Sequence, residues 1–537
     1  MNNDKLNRGY EALEKEFKNP GREFRGKPFW SWNGELEEKE LKRQVDVLKE
    51  MGFGGYFMHS RAGLITEYLG DEWFELCNKV AEYGKETGME SWLYDEDRWP
   101  SGCAGGIVTR DPQYRMKSLV LFEQLPDKQT DPENLLFKFE AIIDKESDRL
   151  VSYRPYDGAL KLEAKDGQKQ LVLCFAVVYD APSSGFNGTT YIDTMMKAAT
   201  EKFIEITHEQ YKKRAGEELW KEIKGIFTDE PHRGHLLDNA RRDENGLLTC
   251  SICWTDDLFD EFKKRYGYDA TGLLPELFYK ASDFETSFAV KHDYVDLANN
   301  LFVERFADPI NDWCIKNGID FTGHVLHEDA LTNQTVPNGS LMRFYGHMGV
   351  PGIDNLTEWA FVFWAAKQLQ SAARQLGKKW LLSELYGCSG WQFNFRSHKA
   401  VGDWQALYGI TLRCPHLSWY TMEGEAKRDY PASILHQSPY YKDYSFVEDY
   451  FARFGVVMTE GRDICEVLVL NPIESVWTGI YSGWAHWIMP ANEETNKLED
   501  HYRRLFAAFL DANVDFDYGE EQMLSEMAKV ETDDLGV

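Results

Sequence analysis

The 537-residue chain has no apolar run long enough to span a bilayer, and its opening residues, Met1-Asn2-Asn3-Asp4-Lys5-Leu6, lack the apolar core of a secretory leader. The sequence as written is therefore expected to be cytoplasmic. Lysine- or arginine-rich runs are also missing. With 89 acidic residues against 60 basic ones, the formal net charge is −29, which argues against nucleic acid or anionic membrane as a partner. Cysteine is sparse: nine scattered residues, an odd number, do not make a disulfide framework. The one Cys-x-x-Cys, Cys250 to Cys253, has no second pair and no paired histidines at zinc-finger spacing, and reads as structural. There are no internal repeats and no low-complexity tract.

Aromatic residues are plentiful, at 14% of the chain with 17 Trp and 27 Tyr. Rings of this kind fill cores, and they also stack on the flat C–H faces of sugars. The length suits one large domain with an insertion or a second domain. Apolar, strand-like runs alternate with helical periodicity from Pro28 onward. Lys27 to Gly34 reads as a strand and turn, and residues 36 to 52 as a helix bearing Leu41, Val45 and Leu48 on one face. Strands follow at Gly54–His59 and Glu90–Asp95, separated by a helix over 71 to 88.

Between 114 and 183 the helical period disappears and strand-like runs dominate, which predicts a small β insertion after strand three. Alternation resumes with a helix over 192 to 222 and a helical region over 254 to 317. Strands are then expected at Gly225–Phe227, Ile319–His324, Val350–Asp354, Lys379–Glu384 and Arg413–Tyr420. Eight strands predict an α/β fold, a (β/α)8 TIM barrel over 20–462 with residues 114–183 inserted in it. A further strand–helix–strand pattern over 463–537 begins near Cys465. It is too short to bury both faces of a parallel sheet, so it is expected to lean on the barrel or to be completed elsewhere.

Barrels of this type present their chemistry at the C-terminal ends of the strands. Two carboxylates stand there: Glu230, in Phe227-Thr228-Asp229-Glu230-Pro231 after strand four, and Glu384, in Leu381-Leu382-Ser383-Glu384-Leu385-Tyr386 at strand seven. A pair so placed is the minimum equipment for cleaving a glycosidic bond, one group protonating the leaving oxygen and the other attacking the anomeric carbon or activating water. The competing reading is that strand-end acids cap helices or pair with arginine.

Other candidate substrate contacts are Trp30, Trp32 and Asn33 after strand one, and His59 and Arg61 after strand two. Asp229, Asp354, Tyr386 and Trp419 also lie at strand ends. Tyr94-Asp95-Glu96-Asp97-Arg98-Trp99-Pro100-Ser101-Gly102 packs three acids beside an arginine and two rings. Such a cluster suits sugar hydroxyls or a hard cation such as calcium, or else a structural network around Arg98. His324, His327 and Glu328 have i, i+3, i+4 spacing, which would serve a metal if the segment is helical and substrate hydrogen bonds if it is not. No metal ligands can be assigned from the residues alone.

Pro28–Gly34, Gly54–His59, Tyr94–Gly102 and Phe227–Pro231 together resemble glycoside hydrolase family 106, the calcium-dependent α-L-rhamnosidases, and the likeness extends over most of residues 20 to 530. The resemblance implies an inverting hydrolase acting on terminal α-L-rhamnosyl units, with Glu230 as general acid, Glu384 as general base and a Ca2+ ion. It also implies that the region after Cys465 begins a flavodoxin-like (glutamine-amidotransferase-like) α/β domain. Strand-four and strand-seven acids equally suit a retaining barrel glycosidase such as a β-galactosidase, and a barrel that binds carbohydrate without turnover is the remaining alternative.

Overall fold

The computed structural model describes residues 9–281, 285–461 and 463–530. Three parallel strands open the fold: β1 (Phe29–Trp32), β2 (Gly55–Ser60) and β3 (Glu90–Tyr94), with helices at Glu38–Glu50 and Asp71–Thr87 between them. The second helix stops at Gly88, whose φ of 79° closes it in the left-handed conformation that costs glycine least.

The chain then leaves the barrel for an antiparallel sheet of β4 (Lys117–Gln124), β5 (Leu135–Asp144), β6 (Leu150–Pro155) and β7 (Gln168–Tyr179). It returns as β8 (Ile223–Thr228), leaves once more as β9 (Arg241–Arg242) and β10 (Leu248–Trp254), and completes the barrel with β11 (Asp320–Gly323), β12 (Val350–Asp354), β13 (Leu382–Leu385), β14 (Leu412–Pro415) and β15 (Ser418–Trp419). The order β14-β13-β12-β11-β8-β3-β2-β1-β15 makes a nine-stranded parallel sheet.

Three expectations change here. The segment from Arg413 to Tyr420 was expected to be one strand but is two. β14 pairs with β13, β15 pairs with β1, and only His416-Leu417 separates them, so the two edge strands are consecutive in sequence and the sheet is nearly closed. The β insertion is also larger than 114–183. Its sheet has the order β6-β5-β7-β4-β10-β9, so two of its strands come from the loop after β8, a pairing of β10 with β4 that no local signal announces. Cys250 and Cys253 both lie on β10 as buried free thiols. The single helix expected over 192–222 is two, Lys197–Ile206 and His208–Trp220, while the helical region expected over 254–317 holds several helices.

Every residue of β1, β2 and β3 is buried, as befits a parallel sheet covered on both faces. The period of two along each strand divides them. Phe29, Phe57, Tyr94, Phe227, Val350, Leu382, Leu412 and Cys414 form an inner cluster, while Trp30, Trp32, Tyr56, Met58, Leu93 and Ile226 join the outer core beneath the helices. Trp30 and Trp32, expected to touch sugar, are therefore fully buried core residues; Trp30 donates its indole N–H to Gln44 at 2.7 Å, and Trp32 packs on Trp73.

Beyond the barrel, β16 (Leu468–Asn471) and β19 (Asp517–Glu520) pair in parallel, flanking a two-residue hairpin of β17 (Ala485–His486) and β18 (Met489–Pro490) and a helix at Glu493–Asp511. This part does lean on the barrel. Arg343, 5% exposed, binds Asp296, Glu474 and Glu520 at 2.6 Å each, and Arg374 binds Asp515 and Asp517 at 3.0 Å. Among the described residues no helix is long and apolar enough to cross a membrane.

Candidate active site

The inward period continues past the apolar inner cluster and turns polar at the strand ends. His59 lies two residues beyond Phe57, Asp229 beyond Phe227, His324 beyond Thr322, Asp354 beyond Gly352, Glu384 beyond Leu382 and His416 beyond Cys414. Glu230 breaks the period. Its φ of +49° is unusual for a residue with a Cβ, and this turn places it in the cleft beside Asp229 rather than on the helix side. Arg61, Trp99, Asp229, Glu230, Asp354, Leu356, Glu384, His416 and Tyr430 line a narrow cleft of about 60 Å3.

Glu384 sits at the centre of a hydrogen-bonded group. His324 Nε2 lies 2.8 Å from Glu384 Oε2 and 3.4 Å from Asp229 Oδ1, and Tyr94 donates its hydroxyl to Asp229 Oδ2 at 2.6 Å. Burial opposes protonation of His324, but the hydrogen bond to Glu384 and the charges of Asp229, Glu384 and Asp354 outweigh it, so its pKa is well above the usual histidine value. Burial keeps Glu384 above the usual carboxyl value, and the His324 hydrogen bond partly opposes that rise. Glu230 has no such donor among the described residues. Burial, then the negative charge of Asp229, push it up to about 8. Asp354 is held well above the usual carboxyl range by burial and by Glu384, and its Oδ1 is buried without a hydrogen-bond partner.

Arg61 forms the side wall. It makes a bidentate pair with Asp429 at 2.8 and 3.0 Å, lies 3.1 Å from His59 Nε2, and stacks 4.2 Å over Trp99. His59 in turn stacks on Tyr94, 3.7 Å between ring centres, and burial followed by the charge of Arg61 keeps its pKa well below the ordinary value.

The acid-rich segment after β3 mostly organises itself. Glu96, 1% exposed, accepts backbone N–H groups from Asp97, Gly102, Cys103, Ala104 and Gly105. Asp95 accepts from Ser101 Oγ at 2.5 Å, and Ser101 exchanges two bonds of 2.8 Å with the backbone of Asp229. Glu96 thus holds the loop closed, and Asp95 and Ser101 position Asp229. Asp97 and Arg98 pair with each other and with Asn187 in a side pocket next to Arg61.

Other expected contacts lie outside the cleft. His327 and Glu328 do not join His324 as ligands, because the segment after β11 is a loop and i, i+3, i+4 residues share no face there. His327 has φ +60° and lines no part of the cleft, while Glu328 accepts from Tyr345 and from the backbone of Asp354, supporting that residue from behind. Tyr386 is buried against Phe393 and His398. Trp419 lies in the inner cluster and donates to the Asp429 carbonyl, and Asn33 is tied to the Thr421 backbone.

His416 follows the same inward period as Glu384 and was legible on that ground but missed. Asp429 and Tyr430 stand in a loop beyond β15 and carry no pattern that could have shown them. The described residues whose ligand atoms converge closely at the cleft are Asp229, His324 and Glu384, all within 4.8 Å of one another.

By sequence the chain matches no family model and no curated protein. Among solved structures it is similar to a rhamnosidase from Novosphingobium sp. PP1Y, with a TM-score of 0.65 at 14% identity over 96% of this chain and 65% of that one. It is also similar to Gan42B, a GH42 β-galactosidase, with a TM-score of 0.52 at 12% identity over 93% of this chain and 67% of that one. This chain therefore spans about two thirds of the length of either, and at these identities the likeness is one of fold. The architecture it supports is an α/β barrel.

Proposed function

We propose that the protein is a glycoside hydrolase that releases terminal α-L-rhamnosyl residues, with Glu230 as general acid and Glu384 as the second carboxylate. One observation carries the reading: two strand-end carboxyls share one cleft, both raised by burial, but only Glu384 has a cationic hydrogen-bond partner, His324, opposing that rise. Glu230, raised to about 8 by burial and by Asp229, holds its proton at neutral pH and can deliver it to the leaving oxygen. Glu384 faces an imidazolium that favours its ionised form. Carboxyls whose environments separate their protonation are the usual division of labour in this chemistry.

In an inverting reaction Glu384 takes a proton from the attacking water while Glu230 protonates the departing oxygen, and His324 stabilises Glu384 as an anion beforehand. Arg61 and Trp99 offer a cation and a ring face to the sugar, and the free Asp354 oxygen an acceptor for one hydroxyl. The rhamnosidase likeness supports the sugar and the family resemblance supports inversion. The β-galactosidase likeness keeps a retaining reaction as the second reading.

The calcium ion implied by the resemblance fits Asp354 better than the Asp229–His324–Glu384 group. That group has an imidazole nitrogen at its centre, whereas calcium takes oxygen ligands. Asp354 lines the cleft and has a buried oxygen lacking a partner; it would hold the ion, with sugar hydroxyls and water completing the shell. The bound ion would supply positive charge that orients those hydroxyls. Chelator is expected to lower both activity and melting temperature, with recovery on adding Ca2+; an Asp354→Asn variant should show no thermal shift with Ca2+.

The reading is tested with a panel of aryl glycosides and NMR of the first anomer released. Release of the inverted sugar from the α-L-rhamnoside is expected. Retained product from a β-galactoside would replace it with the second reading, and no turnover of any substrate would contradict both.

A further inference from the structure

The cleft is much smaller than a typical ligand pocket, and a far larger groove opens beside it. The groove has a volume of about 1250 Å3, against about 60 Å3 for the cleft. Three segments at the same end of the barrel build it: the loop and first helical turn after β1 (Asn33 to Glu40), the loop after β2 (Ala62 to Ile65) and the loop after β15 (Tyr420 to Gln437). Tyr430 lines both spaces, with φ +48° and 41% of its surface exposed. Its ring lies 5.6 Å from the Arg61 guanidinium and 6.0 Å from the Trp99 ring, so these three side chains flank the passage from one space to the other.

The buried Arg61–Asp429 pair anchors this wall. Asp429 comes immediately before Tyr430, and its two hydrogen bonds tie the loop after β15 to the end of β2. Removing one partner of such a pair would leave the other buried and uncompensated, so the wall is held in place rather than free to drift. The charge of the groove is one-sided. Glu35, Glu37 and Glu423 have no ion-pair partner among the described residues, whereas Arg428 is taken up by Glu425 at 3.0 Å and Glu40 by Arg43. Carboxylates exposed on several loops of one concavity raise its negative potential and disfavour an anionic occupant.

Resting on the glycosidase reading above, we propose that this groove is the leaving-group subsite, that it takes a neutral saccharide of more than one unit, and that Tyr430 determines this specificity by stacking on the first sugar beyond the scissile bond. The reacting sugar must sit over the cleft carboxyls, and the remainder of the substrate must leave past Tyr430. Binding energy gained in the groove is available to the reacting centre, so that a truncated substrate loses kcat as well as affinity.

The test compares three substrates of the unmodified protein: methyl α-L-rhamnoside, a trisaccharide with a terminal α-L-rhamnosyl residue on two neutral hexoses, and the same trisaccharide with a uronic acid next to the rhamnose. The expected kcat/KM for the neutral trisaccharide exceeds that for the methyl glycoside by about tenfold or more, with the uronate well below its neutral counterpart. Tyr430→Ala should shrink the advantage of the trisaccharide over the methyl glycoside. Glu35→Gln combined with Glu423→Gln should narrow the gap between uronate and neutral trisaccharide, a ratio that a general loss of folding would not move. Equal kcat/KM for methyl glycoside and neutral trisaccharide, or preference for the uronate, would overturn the groove assignment while leaving the glycosidase reading intact. Absence of hydrolysis with all three would overturn both.

Discussion

Two neighbouring barrel strands, β3 and β8, each run out into Asp-Glu: Tyr94-Asp95-Glu96 and Thr228-Asp229-Glu230. Their registers differ by one residue, since Tyr94 pairs with Phe227, and their fates diverge. Glu96 turns into its own loop and accepts five backbone N–H groups, with burial still lifting it to about 7. Glu230 accepts none among the described residues and stands in the cleft. What separates them is the sequence that follows. Gly102-Cys103-Ala104-Gly105 curls its amides around Glu96, with positive φ at Gly102, Ala104 and Gly105, whereas Pro231 has no N–H to offer and the chain after Glu230 leads away. A buried acid is structural when its local chain satisfies it and available for chemistry when the chain does not.

The largest effect expected from this contrast is on turnover. Glu230→Gln should lower kcat for an unactivated glycoside by roughly 10²–10⁴-fold, the span of general acid catalysis, with the unfolding midpoint unchanged or raised. Glu96→Ala should do the reverse. Leaving several buried N–H groups unpaired costs about 3 kcal/mol or more, read as a lower denaturant midpoint. A stable Glu96→Ala protein, or an active Glu230→Gln one, would break the contrast.

His324 sharpens it from the other side. Its hydrogen bond lowers the pKa of Glu384, so His324→Asn should let that pKa rise further and move the acid limb of the kcat/KM profile to higher pH. The basic limb should follow Glu230 and fall as pH passes about 8. An acid limb that stays in place would remove His324 from its positioning role.

The smallest effect is on stability against pH. Folding raises Glu96 to about 7 and Glu230 and Glu328 to about 8. For a carboxyl raised on folding, the stabilising contribution is complete below its unfolded pKa and is lost as pH rises through the folded value. Melting temperature should therefore decline from about pH 5 towards pH 8, and less steeply in Glu328→Gln. A rise over that interval would contradict the burial assigned to these groups.

Much of the barrel could be read in advance because a parallel sheet covered on both faces leaves continuous apolar runs between amphipathic helices. The strand-end acids were legible for the same reason. Orientation was harder. Trp30 and Trp32 stand at a strand end, yet the period of two sends them under the helices, and the same period would have selected His59, His324 and His416. Glu230 was found by motif although it violates that period, because one left-handed residue reverses it. The split at His416-Leu417, the addition of β9 and β10 to the insertion, and the Arg61–Asp429 wall all depend on pairings between segments distant in sequence, which no local pattern encodes.

The most direct measurement is the leaving-group dependence of Glu230→Gln. A 2,4-dinitrophenyl α-L-rhamnoside departs without protonation, so the variant should hydrolyse it at close to the unmodified rate while losing the methyl glycoside by roughly 10²-fold or more. Equal losses on both substrates would mean that Glu230 does not deliver the proton.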